Sequence, residues 1–152
     1  MNTLVKLENG IEISSLSIIS DTRGSVMKMI RSDDLEFKGF GECYFSKISP
    51  GVTKAWKMHR MQTQNISVPV GLIELVAFNP TLQDESKAIS RIKLGVPDFY
   101  KLIRIPPNIW YGFRCISNDS ALVVNCPDLP HDASDSYKKD QDDIGMPLFS
   151  FK

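Results

Sequence analysis

The chain has 152 residues, 42% hydrophobic and 24% charged, a composition that suits a globular protein able to bury a core without staples. Lysine plus arginine equals aspartate plus glutamate at 18 each, so net charge points to neither nucleic acid nor an anionic membrane, while a local basic pocket remains compatible with neutrality. Three cysteines without a CxxC pair argue against a disulfide framework or a zinc knuckle, and no segment approaches the ~20 apolar residues of a membrane span.

The first residues, Met1 to Gly10, lack the apolar run of a signal peptide, so free thiols in a reducing cytoplasm are expected. Strand signals follow at residues 11–19, 25–30, 42–49, 52–59, 65–78, 89–94, 99–105, 109–115 and 121–125, each rich in β-branched or aromatic side chains. Turn chemistry separates them, including Asn9-Gly10, Ser49-Pro50-Gly51, Pro106-Pro107-Asn108 and Ser117-Asn118-Asp119. One helical turn is expected over 31–37, with Ser32 as N-cap and Asp33, Asp34 and Glu36 in the first turn. After Asn125 the chain is rich in Asp, Pro and Ser, with apolar anchors at Leu129, Tyr137, Ile144, Met146, Leu148 and Phe149, and is expected to form an irregular extension over one end. Many short strands with regular punctuation predict one all-β domain over residues 1–152, a sandwich or barrel.

Four segments carry more than fold. They are Asp21-Thr22-Arg23-Gly24, then Gly51-Val52-Thr53-Lys54-Ala55-Trp56-Lys57-Met58-His59, then Ile105-Pro106-Pro107-Asn108-Ile109-Trp110-Tyr111-Gly112-Phe113, and Asp142-Asp143-Ile144-Gly145. In this order and spacing they resemble the dTDP-4-dehydrorhamnose 3,5-epimerases over roughly residues 18 to 149. The resemblance implies a homodimeric cupin-type jelly roll without metal or other cofactor, holding a nucleoside diphosphate sugar in the mouth of the barrel. It also implies epimerisation or isomerisation of a 4-keto-6-deoxy sugar through an enolate, in deoxysugar or surface-polysaccharide synthesis. A proton beside a ketone is weakly acidic, so such chemistry needs a poised base and a donor to the enolate oxygen.

The family's catalytic histidine falls on Lys57, and His59 lies two residues on, on the same face of a strand. Either Lys57, its pKa lowered by its surroundings, or His59 is then the base. The family's tyrosine falls on Val124, and Tyr111, which replaces the histidine of the Pro-Pro turn, is the phenol expected in its place. Asp143 corresponds to a carboxylate that orients the base. Substrate contacts are implied for Arg23, Lys47, Lys54, Gln64 and Trp110, with Glu42 and Tyr44 where the family places amides near the nucleobase. The dioxygenase-type metal site of other cupins needs three or four nitrogen and oxygen ligands. Its positions are occupied here by Lys57, His59, Thr63 or Gln64, and Tyr111, and one imidazole does not make such a site. A second class of function stands beside the enzyme: a catalytically silent cupin that binds a sugar nucleotide or glycan, distinguished by binding without proton exchange.

Overall fold

The computed structural model describes residues 3–149. Its strands are β1 (Leu4–Lys6), β2 (Glu12–Ser15), β3 (Ile18–Asp21), β4 (Gly24–Met27), β5 (Tyr44–Ile48), β6 (Thr53–His59) and β7 (Gln64–Val70). There follow β8 (Leu72–Phe78), β9 (Ile89–Gly95), β10 (Lys101–Ile105), β11 (Trp110–Cys115), β12 (Ala121–Asn125) and β13 (Ser136–Lys138). A six-stranded sheet runs β1-β2-β10-β7-β12-β5, a five-stranded sheet runs β13-β6-β11-β8-β9, and β3-β4 forms a separate hairpin. Alternation along the strands turns one face of each sheet inward. Ile48, Ile66, Val68 and Ile103 of the larger sheet meet Ile73, Leu75, Leu94 and Phe113 of the smaller in one buried core. At ~1.5–3 kcal/mol for each buried aliphatic or aromatic side chain, this layer is what holds the sheets together. The all-β, jelly-roll expectation agrees with this architecture.

Several boundaries differ from expectation for identifiable reasons. The apolar run 65–78 is two strands in different sheets, joined at Gly71, whose φ of +77° is left-handed. A Cβ there would stand 2.7 Å from the Cα of Ala121, so glycine is required for the crossing. Likewise, 11–19 divides into β2, in the larger sheet, and β3, in the hairpin. Residues 31–37 form no helix: Asp34 N–H donates to the Arg31 carbonyl and Phe37 N–H to that of Asp34, two successive turns. The Asp34 carboxylate accepts from Arg31 N–H, a local bond that competes with helix. The helix present is instead α1 (Glu85–Ala88), capped by Asp84, which accepts from Ser86 N–H.

The tail is more ordered than expected. Asp135, buried, accepts from the backbone N–H groups of Arg60, Met61 and Gln62 at 2.9, 2.9 and 3.1 Å. That bond set docks the chain beside β6, and β13 pairs with it in the register Ser136↔His59, Tyr137↔Met58 and Lys138↔Lys57. Tyr137, Met146 and Phe149 pack on Trp56, Val76 and Trp110, whereas Leu129, Ile144 and Leu148 stay exposed and anchor nothing. All three cysteines are free thiols, and no helix of the described residues is long and apolar enough to cross a membrane.

Candidate active site

The segment Gly51 to His59 supplies β6, whose pairing with β11 carries a bulge. Tyr111 faces Lys57 and Phe113 faces Lys54, so two steps on β11 span three on β6. Strict alternation would send Lys54 and Lys57 to opposite faces; the bulge turns both toward the core side. Gly112 makes the close approach possible, since a Cβ at this position would lie 2.5 Å from that of Ala55.

Between the sheets opens a cavity of about 670 Å³. Lys54, Lys57, Tyr111 and Phe113 form one wall, and Tyr44, Ser46, Val123 and Asn125 form the wall opposite. Lys138, Lys139, Asp140 and Asp143 of the tail close its rim. Four lysines against two aspartates make the cavity basic in a chain that is neutral overall. Lys54 Nζ donates to Ser46 Oγ at 2.9 Å and to the Lys47 carbonyl at 3.0 Å, bridging the two walls. Lys139 reaches Asp143 at 4.0 Å. Lys57 has no ion-pair partner among the described residues and stands directly opposite Lys138 on β13. Desolvation first, then the charges of Lys138 and Lys54, hold its amine below the ordinary lysine pKa.

Tyr111 is buried beside Lys57, and burial, with the nearby Tyr44, pushes its phenol well above the usual tyrosine range. It therefore stays protonated and can donate. His59 ends β6 with its ring against Tyr111, centroids 6.2 Å apart. Burial is the main cause that lowers its pKa, with Lys57 and His131 adding to it and Asp135 opposing. Its Nδ1 meets Gln64 Nε2 at 3.2 Å, Gln64 Oε1 accepts from Asn125 Nδ2 at 2.7 Å, and Asn125 Nδ2 also donates to the Tyr44 hydroxyl at 2.8 Å. The Asn108 N–H donates to the His59 carbonyl at 2.7 Å from a left-handed φ of +68°, a conformation asparagine tolerates.

Of the residues singled out from sequence, Lys54, Lys57, Tyr111 and Asp143 converge on this cavity, and so does Tyr44, which the resemblance places near the nucleobase. His59 and Gln64 lie behind its wall as buried links of the hydrogen-bond chain. Trp110 does not reach the cavity, because alternation along β11 sends its ring outward onto Trp56, Val76 and Phe149. Lys47 is also excluded, since it alternates with Ser46 on β5 and projects from the other face. Arg23 sits exposed on the β3-β4 hairpin, ion-paired with Asp21 at 2.5 Å. Lys138, Lys139 and Asp140 line the cavity although a charged run in a tail reads as solvated chain. Ser46 shares strand parity with Tyr44 and the buried Ile48, the one signal in the sequence that marks it. Among the described residues no group of three or more His, Cys, Asp or Glu is placed to ligate a metal ion.

No protein-family model matches the chain. The crystal structure of a dTDP sugar isomerase from Desulfovibrio desulfuricans G20 matches it with a TM-score of 0.85 and 40% identity, over 91% of this chain and 89% of that one. A probable low-salt glycan biosynthesis epimerase of Haloferax volcanii is 28% identical over 128 residues, 82% of this chain and 81% of the relative. A dTDP-6-deoxy-D-glucose 3,5-epimerase from Legionella pneumophila, solved with dTDP-4-keto-L-rhamnose, shares the fold at a TM-score of 0.80 and 17% identity, over 98% of this chain and 85% of that one. Matched along nearly its whole length at two-fifths identity, the chain belongs to the family of dTDP-sugar isomerases related to the dTDP-4-dehydrorhamnose 3,5-epimerases, as a divergent member.

Proposed function

We propose that this protein epimerises or isomerises a nucleoside diphosphate-linked 4-keto-6-deoxy sugar by removing a proton beside the keto group, in deoxysugar or polysaccharide synthesis. The observation that carries the reading is an unpaired lysine, Lys57, facing a basic cavity with a phenol directly across the strand pair. With its pKa lowered, part of the Lys57 population is a neutral amine that accepts the α-proton. The electron pair moves onto the keto oxygen, and Tyr111, kept protonated by burial, donates a hydrogen bond to the enolate. Lys54, Lys138 and Lys139 supply charge for the diphosphate. His59, outside the cavity lining, is displaced from the role of base by Lys57. The same reading takes the protein to be a cytoplasmic homodimer, with the exposed Ile19 and Val26 of the β3-β4 hairpin at the interface and Arg23 serving the partner's cavity.

The test is incubation with dTDP-4-keto-6-deoxyglucose in deuterated water, with deuterium at C3 and C5 followed by NMR. Exchange above background that is lost in Lys57→Met supports the reading. Tight nucleotide binding without exchange would move the protein to the silent-binder class.

A further inference from the structure

Inverting a carbon requires that the proton leave one face of the sugar and return on the other. Lys57 and Tyr111 are cross-strand neighbours on a single wall, so both address the same face of a bound ring. A second group must act from the larger sheet. Tyr44 on β5 lines that opposite wall and, unlike Ser46, Val123 and Asn125 beside it, carries an acidic proton suited to protonating an enolate carbon.

Hydrogen-bond direction decides which way its proton points. Asn125 Nδ2 donates to the Tyr44 oxygen, so the phenol accepts on the protein side and its own O–H is left for the cavity. Asn125 is held in that orientation because its Oδ1 accepts from Asn65 N–H at 3.2 Å while Nδ2 also donates to Gln64 Oε1. Gln64 is held in turn because its Nε2 donates to Gln62 Oε1 at 3.1 Å and to the bare Nδ1 of His59. A protonated His59 carries a proton on both ring nitrogens and would oppose the Gln64 amide. The chain from His59 to Tyr44 is thus directional only while the imidazole is neutral.

We propose that Tyr44 is the acid that returns the proton from the β5 wall, and that neutral His59 acts as a positioning residue, orienting the phenol through Gln64 and Asn125. This rests on the reaction proposed above. In the step, neutral Lys57 takes the C–H proton and becomes an ammonium. Tyr44 O–H gives its proton to the same carbon from the other side and becomes a phenolate. Solvent then takes the proton from Lys57 and returns one to Tyr44, so atoms and charge balance without a co-reactant.

Deuterium wash-in and change of configuration at the same carbon separate the two halves. In Tyr44→Phe, exchange with retained configuration should persist within about tenfold of wild type, while inversion falls by roughly 10²–10⁴-fold, the usual contribution of a positioned acid. The inversion-to-exchange ratio of the wild type should also fall in acid, at a pH beneath the ordinary imidazole value of 6.5, because burial delays the proton that His59 gains there. Protonation of Lys57 cancels in that ratio, since both quantities need the base. Of the other groups near His59, Tyr111 against its ring stays protonated throughout, Asp135 is tied to three backbone donors, and His131 in its exposed loop is controlled for by His131→Gln. His59→Asn, which never titrates, should flatten the profile. Inversion by Tyr44→Phe at the wild-type rate overturns the acid, and a ratio independent of pH in the wild type overturns the role of His59. Failure of the wild type to exchange at all removes the reaction itself, a result distinct from either.

Discussion

Replacing Asp135 by alanine should cost the protein about 3 kcal/mol. Its carboxylate takes three backbone N–H groups from the turn after β6, two of them on one oxygen at 2.9 Å and the third on the other at 3.1 Å. Hydrogen bonds to a charged acceptor are each worth ~1.5–3 kcal/mol, and a donor left buried without a partner costs ~1–3. Arg60 and Met61 are exposed enough for water to replace most of what they lose, whereas Gln62 is 4% exposed and its N–H would be stranded. The expected loss is therefore roughly 2–4 kcal/mol, or about 5–15 °C in Tm for a chain of this size. Urea titration and thermal melts of wild type, Asp135→Asn and Asp135→Ala measure it, with asparagine intermediate because it keeps one acceptor. The same bonds dock the strand that carries Lys138, so nucleotide affinity should weaken in Asp135→Ala even far below its Tm. A loss under about 1 kcal/mol with full affinity would show that the tail is held elsewhere, and the account of β13 would be wrong.

Gly112→Ala forces a methyl to within 2.5 Å of Ala55 at the bulge, with an expected cost of ~1–3 kcal/mol and a larger fall in exchange rate as Lys54 and Lys57 lose their common face. Trp56→Ala empties a site 1% exposed against Phe149 and should lower stability by ~3–5 kcal/mol in denaturant titration. Lys57→Met should abolish exchange yet raise Tm. The folded pKa of Lys57 lies below its unfolded value, so the unfolded chain binds the extra proton between the two, and wild-type stability climbs with pH across that window. The gain from Lys57→Met should thus shrink as pH approaches 10.5, and a gain constant from pH 7 to 10.5 would contradict the desolvated amine.

How much of this was legible beforehand depended on the kind of interaction. Strands such as β8 and β11 announce themselves by their β-branched and aromatic residues, and the turns between strands fix the class. Gly71 was easy to miss because Val70 and Leu72 continue the apolar run on both sides, and only the approach of Ala121 shows that the chain changes sheet there. The three residues of β13 have no periodicity to detect; their strand exists because Asp135 grips a turn more than 70 residues earlier in the chain. In the site, Lys57 and Tyr111 could be found from motif and parity. Lys54 needed the bulge, an extra residue that parity alone assigns to the wrong face. Tyr44 is marked by the resemblance and by parity with Ile48, whereas Trp110 is an aromatic neighbour of Tyr111 on a strand buried on both faces, so hydrophobicity does not tell the cavity side from the other. Lys138 and Lys139 owe their position to long-range docking, which leaves no mark in local sequence.

The place of β6 within its sheet has a consequence for synthesis. Without β13 it is the outermost strand, with a row of backbone groups open to any other strand. At roughly 5–20 residues per second, translation leaves that edge bare for several seconds before residues 136–138 arrive to cover it. Lys54 and Lys57 stand on it throughout, and like charges deter two nascent chains from joining along matching edges. The amines assigned to the ligand are in this sense also guards of a strand awaiting its neighbour. Neutralising Lys57 can make the folded molecule tougher while lowering the share of chains that ever reach it.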